Sequence, residues 1–255
     1  MSWKNGGPYP DKREALWSLV LLATISLGTW ALFATVQYQW QWGSLAKYWR
    51  LIVQGWGWTL VITVVALVLS IVLGIAIMLG QRSAVMPVRL FSRGYLEIIR
   101  GTPLLVQLLI GYYIVANSLH ISARLPVGMV LLSLFEAAYF SEIFRGALES
   151  ISASQLEAAR AVGFDTHQIW RFVIFPQAVR RALPGTTGQM VSLIKDSSLL
   201  SVIGISEVTK SVQQANANAY TGLEGYIPLA LLYLVLTLPL SWWTRRLEAK
   251  FKYET

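Results

Sequence analysis

The spacing of charges constrains this chain more than any other feature. No charged residue lies between Glu14 and Lys47, between Arg50 and Arg82, between Arg100 and Arg124, or between Glu224 and Arg245. A helix crossing roughly 30 Å of hydrocarbon needs about 20 mostly apolar residues at 1.5 Å each. Leu16–Val36 and Leu60–Leu79 meet that length outright. Two further stretches are apolar but carry charge: Pro126–Leu148 with Glu136 and Glu142, and Pro184–Ile205 with Lys195 and Asp196. Backbone groups in hydrocarbon must pair within their own segment, which favours helices. The expectation is an all-α polytopic membrane helix bundle of about six transmembrane helices.

Composition supports this and closes other routes. Charged residues make up 13 % of the chain, against about 25 % in soluble domains. With no Cys and only His120 and His167, the sequence offers no disulfide framework, thiolate nucleophile or metal-ligand cluster. The +8 net charge would suggest nucleic acid in a soluble protein, but in a membrane protein it follows topology. With the N-terminus inside, sixteen of the 21 basic residues fall on inner segments and four on outer ones, leaving Lys195 in the membrane. Both termini are therefore expected to be cytoplasmic, with no nucleic-acid partner.

The first span reads as a retained anchor, because bulky Gln37–Trp42 follows it where a cleaved signal would have small residues. Residues 1–54 are expected to form a cytoplasmic tail, anchor helix and interfacial segment, with a flat helix over Ser44–Val53. Residues 55–255 are expected to form the transmembrane domain. In the second span, Ser70-x3-Gly74 has the small-x3-small spacing that lets helices approach closely.

The longest inner connection, 148–182, carries helical signals of its own. Ser154-Gln-Leu-Glu157 fits a capping box, and Ala158 and Ala159 are strong helix formers. Gly163 sits where a left-handed terminating residue belongs. Asp165-Thr-His-Gln168 starts a second helix, and Pro176 is expected to end it. The segment reads as a structural linker or as a small-faced helix that docks on a cytoplasmic partner.

The run Glu157-Ala158-Ala159, three residues, Gly163, then Val173-Ile-Phe175-Pro176 resembles the EAA loop of ABC importer permeases. Arg100-Gly-Thr-Pro103 with Gln107, Ala137-Ala-Tyr139 with Glu142-Ile-Phe-Arg145-Gly146, and Ser192-Leu-Ile-Lys195-Asp196-Ser-Ser198 resemble the polar amino-acid branch of that family. Val173 and Phe175 depart from its I-x-L-P pattern by apolar substitution. The resemblance implies a five-helix type I importer core, with the N-terminal helix as an addition. It implies a second permease, identical or related, and a cytoplasmic ABC ATPase dimer gripping the EAA helix. It also implies a periplasmic amino-acid-binding protein, an amino-acid substrate and a bacterial inner membrane. The chain has no Gly-x4-Gly-Lys-Ser/Thr loop, so ATP and Mg would be held by the partner. No cofactor or catalytic residue is expected in this chain.

Charges at mid-membrane are costly and so are functional candidates. Glu136 lies about 15 Å into its span, and Lys195 and Asp196 about 16–18 Å into theirs. Adjacent residues on a helix point about 100° apart, so Lys195 and Asp196 cannot satisfy each other. They form either a structural ion pair with Glu136 or a neighbouring subunit, or a substrate path. In the latter, Lys195 would meet the carboxylate of an amino acid, Glu136 or Asp196 its ammonium, and the Ser197 and Ser198 hydroxyls would assist. Glu142 and Arg145, three apart near the inner interface, can pair. A membrane enzyme would need a catalytic motif, and the chain has no His-Glu-x-x-His or Gly-x-Ser-x-Gly. A channel, or a permease for another small polar solute, is the alternative.

Overall fold

The structure, a computed structural model, describes residues 12–35 and 38–251, and every regular element among them is helical. The chain divides after Gln41 into two units. The first holds α1 (Lys12–Thr35). Trp17, Leu21, Leu27 and Trp30 are exposed along it. The hydroxyls of Thr24 and Thr29 fold back onto the carbonyls of Val20 and Ile25 at 2.8 and 2.7 Å, so neither donor faces outward. The expected anchor is thus a helix whose surface suits hydrocarbon, with Leu16–Ala31 as its apolar stretch.

The second unit begins with α2 (Trp42–Ala46), α3 (Trp49–Gln81), α4 (Met86–Gly101) and α5 (Leu104–Leu109), the last continued by π-helical turns over Ile110–Ala116. Next come α6 (Arg124–Glu149), α7 (Ala153–Ala161) and α8 (Thr166–Gln168), which runs on through π-helical turns over Ile169–Ile174 into α9 (Phe175–Asp196). Ser197–Ile203 form 3-10 turns, followed by α10 (Val208–Ala219) and α11 (Tyr226–Phe251).

Among the described residues three helices, α3, α6 and α11, are long and apolar enough to cross a membrane unaided; α4 and α5 with its π turns pass that test only as a pair, bent by 110° at the break between them. The other expected spans fall short of that length or apolarity for identifiable reasons. Between Arg100 and Arg124, where one full span is expected, the chain breaks at Thr102–Pro103 and then forms only a short apolar rod, α5 with its π turns, after the amphipathic α4. The span expected over Pro184–Ile205 belongs to α9, which starts at Phe175 and carries Pro184 inside it. Gln189, Lys195 and Asp196 give α9 a polar face that composition alone does not pass as a span. The flat helix expected over Ser44–Val53 is the short α2, with α3 already under way at Trp49.

The core sits where α3, α5, α6, α9 and the 3-10 turns meet, around Ile62, Leu108, Leu132, Phe140, Leu193 and Leu200. A second cluster joins α2, the start of α3 and α10 through Leu45, Ile52, Val208, Val212 and Ala215. Apolar residues also cover the outside: Val64, Val68 and Val72 on α3 and Leu231, Val235 and Leu238 on α11 are all exposed. Such continuous apolar surface is stable only against lipid or another membrane helix.

Residues 70 and 74 fulfil the close approach that their spacing predicts. The buried hydroxyl of Ser70 donates to the Ser133 carbonyl at 3.2 Å. A Cβ on Gly74 would lie 2.8 Å from that of Phe140 and 3.1 Å from the Ser141 nitrogen. Backbone stands there, so nothing can swing aside. Gly74→Val is expected to destabilise the bundle by about 2 kcal/mol, read as a lower melting temperature in detergent. Gly57→Ala, where no atom lies within 4 Å, is the neutral comparison.

Candidate functional site

The segment after α6 is a folded projection. Ser152, extended at φ −68° and ψ 143°, occupies the N-cap position of α7. The capping box expected from Ser154 and Glu157 does not form, because Ser154 already lies in the first turn. Its hydroxyl meets that of Ser152 at 3.1 Å. Glu157 and Ala158 are exposed, whereas Ala159 is buried at the foot of the helix.

The end of α7 follows the sequence expectation. Gly163 adopts φ +87°, a left-handed conformation costly for any residue with a Cβ. Its N–H donates to the Arg160 carbonyl at 2.9 Å and the Phe164 N–H to Ala159 at 3.1 Å, which together make a Schellman closure. A capping box then opens α8: the Gln168 N–H donates to Asp165 Oδ1 at 2.8 Å, and the Asp165 N–H donates to Gln168 Oε1 at 2.9 Å. Phe164 and Phe172 meet across the turn with ring centroids 6.3 Å apart. Arg181 of α9 donates to the carbonyl and hydroxyl of Ser150, fastening the base of the projection.

Pro176 does not end the second helix as expected. It stands at the start of α9, in unbroken continuation of α8. A proline inside a helix lacks its N–H and crowds the carbonyl four residues back. The π turns just before it relieve that crowding by widening the helix. Thr166 to Asp196 therefore form one helical run of about 45 Å. Its far part lies beside Glu136. Gln189 Nε2 donates to Glu136 Oε2 at 2.7 Å, and the Asp196 carboxyl interacts with that of Glu136. Glu136 is fully buried, and its Oε1 has no partner by ordinary hydrogen-bond geometry.

Lys195 is exposed, Asp196 half-buried, and no ion pair joins Lys195 to Glu136 among the described residues. The structure thus brings Glu136 and Asp196 together and points Lys195 elsewhere. Ser197 is buried with its hydroxyl committed to the Ile194 carbonyl at 2.7 Å, and Ser198 is half-buried.

Glu142 and Arg145 form the expected pair, and it is bidentate: Arg145 Nε and Nη2 both lie 2.9 Å from the carboxylate. Arg100 reaches Glu142 Oε2 at 3.1 Å from α4, and Glu149 takes Arg145 Nη1 at 2.5 Å. This network lines a cavity of about 1040 Å³ between the ends of α3, α4 and α6, which Arg82, Arg89, Arg93, Glu97 and Tyr139 also face.

Beside the network the chain breaks at Gly101-Thr102-Pro103. Thr102 is extended (φ −126°, ψ 147°), and Pro103 has no N–H to continue α4. Side chains take over the carbonyls left open. The Thr102 hydroxyl donates to Ile98 at 2.8 Å. The Gln107 amide donates to the Ile99 carbonyl and the Thr102 hydroxyl at 2.8 Å each.

Gln189 escapes a scan for intramembrane charge because it is neutral, although a lone amide within an expected span is itself a signal. Glu207 also escapes, lying between expected spans. It is fully buried as the cap of α10, accepting from the Thr209 and Lys210 N–H groups and from the Tyr233 hydroxyl.

A family model described as binding-protein-dependent transport system inner membrane component matches residues 71–253. The chain is 34 % identical over 202 residues to the arginine transport system permease protein ArtQ of Bacillus subtilis, covering 79 % of this chain and 92 % of that one. It is also 34 % identical over 217 residues to the glutamine transport system permease protein GlnP of Escherichia coli, covering 84 % and 99 %. Among solved structures it is similar to a chain in a crystal structure of an amino acid ABC transporter with histidines. That match has a TM-score of 0.77 and 32 % identity, over 84 % of this chain and 100 % of the other.

Replacing Gln107 by Leu leaves the Ile99 carbonyl and the Thr102 hydroxyl without their amide, a loss of about 1–3 kcal/mol where water is scarce. Amide hydrogen exchange over residues 99–107 is expected to rise at least tenfold, with exchange in α6 unchanged.

Proposed function

Because this chain belongs to the family of binding-protein-dependent transport system inner membrane components, we propose that it conducts an amino acid through the membrane under the control of a cytoplasmic ABC ATPase dimer docked on α7. The chain is a membrane-spanning permease subunit of an ABC importer and not itself an enzyme. ATP and Mg are bound by the partner. A second permease, of the same or a related sequence, completes the path, and a periplasmic binding protein delivers the substrate. In this reading both termini face the cytoplasm, which the distribution of Lys and Arg supports.

The carrying observation is the continuity between projection and core. Glu157 and Ala158 stand exposed on α7, while Gly163 and the Asp165 box fix the angle at which α7 meets the next helix. From Pro176 that helix runs on to Asp196. A displacement of α7 by the ATPases is therefore felt where Gln189 and Asp196 meet Glu136. Substrate passes there: exposed Lys195 takes the carboxylate and Asp196 the ammonium, with Ser198 beside them. Glu136, buried behind Asp196, sets the position and charge of that carboxyl, and Ser197 holds the helix turn beneath it. Relatives named for arginine and for glutamine transport support an amino acid as the cargo.

Two experiments test this reading in a reconstituted importer. Gly163→Val forces a β-branched residue into the left-handed region, straining the turn by about 1–2 kcal/mol or more. ATP hydrolysis is expected to persist while uptake falls severalfold; full coupling would remove the turn from the transmission path. Asp196→Asn and Glu136→Gln are expected to lower amino-acid uptake with ATPase co-purification unchanged. Unaltered uptake in both would remove them from the path.

A further inference from the structure

Helix α4 carries two features that the transport reading leaves unused. At about 100° per residue, Arg89, Arg93 and Glu97 form one polar stripe, while Leu90, Phe91 and Ile98 fall together on a neighbouring arc. The apolar arc is open, with Phe91 77 % and Ile98 65 % exposed, even though Ser92 and Leu96 on another side of the same helix are buried. The 110° bend to α5 means α4 cannot continue that helix's course, and it lies at the end of the long span α3. Arg82 joins Arg89 and Arg93 along the rim of the 1040 Å³ cavity. None of these three enters an ion pair among the described residues, whereas Arg100 and Arg145 are held by Glu142. Arg89 is fixed by donating to the Ser83 carbonyl at 2.9 Å. With Glu97 the only acid on the stripe, the rim keeps a positive balance.

We propose that α4 lies along the membrane surface and seats an anionic phospholipid, its phosphate between Arg82, Arg89 and Arg93 and its acyl chains over Leu90, Phe91 and Ile98. A soluble anion would satisfy the guanidinium groups and leave the apolar arc facing water. A neutral lipid would do the reverse. An anionic lipid satisfies both at once, and guanidinium matches the paired oxygens of a phosphate.

The test uses the full chain purified in detergent and exposed to mixed phosphatidylglycerol and phosphatidylcholine micelles. Retained lipid is quantified by mass spectrometry. Phosphatidylglycerol is expected to be retained in preference, and its retention to fall on the order of tenfold in the R82Q/R89Q/R93Q chain and severalfold in L90S/F91S. Equal retention by the arginine variant overturns the proposal. Displacement of the lipid by inorganic phosphate, or a loss confined to the arginine variant, assigns the rim to a bare phosphate and also overturns it. A change in the number of chains per particle in L90S/F91S assigns the apolar arc to a second copy and overturns the lipid seat as well. The unsubstituted chain supplies an arm independent of any folding defect. Phosphatidylglycerol with a photoreactive acyl chain is expected to label residues 90–98, and labelling confined to α11 overturns the seat.

Discussion

In hydrocarbon a backbone N–H or C=O has no water to fall back on, and leaving one unpaired costs several kcal/mol. This constraint shapes the chain more than any single contact. It makes every regular element helical among the described residues, and it dictates what must accompany each interruption. At Gly101–Pro103 the ladder stops and the Gln107 amide takes up the carbonyls. At Gly204, in the left-handed region, the 3-10 turns close by short backbone bonds back to Leu200 and Ser201. At the start of α10 a buried carboxylate receives two backbone N–H groups. Each departure from a plain helix brings its own partner, so these departures are built features and the places where geometry can be set.

The same scarcity of water concentrates polar side chains into a few groups. The Glu142–Arg145 pair, with Arg100 and Glu149, ties α4 to the end of α6. Glu207 and Tyr233 tie α10 to α11, and Gln189 ties α9 to Glu136 on α6. Small residues do the remaining work of bringing backbones together, as at Gly74 against Phe140. The apolar outer faces of α3 and α11 contribute nothing to this internal fastening; they are matched to their surroundings.

Much of this is legible in the sequence, and the reasons are local. Charge-free windows mark α3 and α11 because hydrocarbon tolerates few alternatives. Gly163 and Asp165-Thr-His-Gln168 announce their turn and cap because each motif completes itself within a few residues. The Glu142–Arg145 pair needs only a spacing of three. What escapes depends on distant partners. Ser154 resembles a cap as well as Ser152 does, and only the backbone conformation separates them. Pro176 and Pro184 suggest boundaries, yet π turns and packing against α6 carry the helix through both. Depth along the spans brings Glu136 and Asp196 together but also predicts Lys195 beside them. The direction of Lys195 depends on how α9 is rotated, which no spacing along α9 alone determines. Gln189 and Gln107 carry no charge, so a search for charge passes over both.

The long helical run from Thr166 to Asp196 bears on α6 at Gly185, where a Cβ would come within 3.0 Å of Ile143. Pro184, the residue before it, withdraws a backbone donor, as Pro176 does nearer the projection, so the run is weakened at its point of bearing. About 28 Å of helix lies on one side of that point and about 17 Å on the other. A stiff beam on such a support would move as a seesaw, with a fixed ratio of travel at its two ends. A beam jointed at its support behaves as a crank, and the angle at Pro184–Gly185 becomes a coordinate separate from the tilt of either arm.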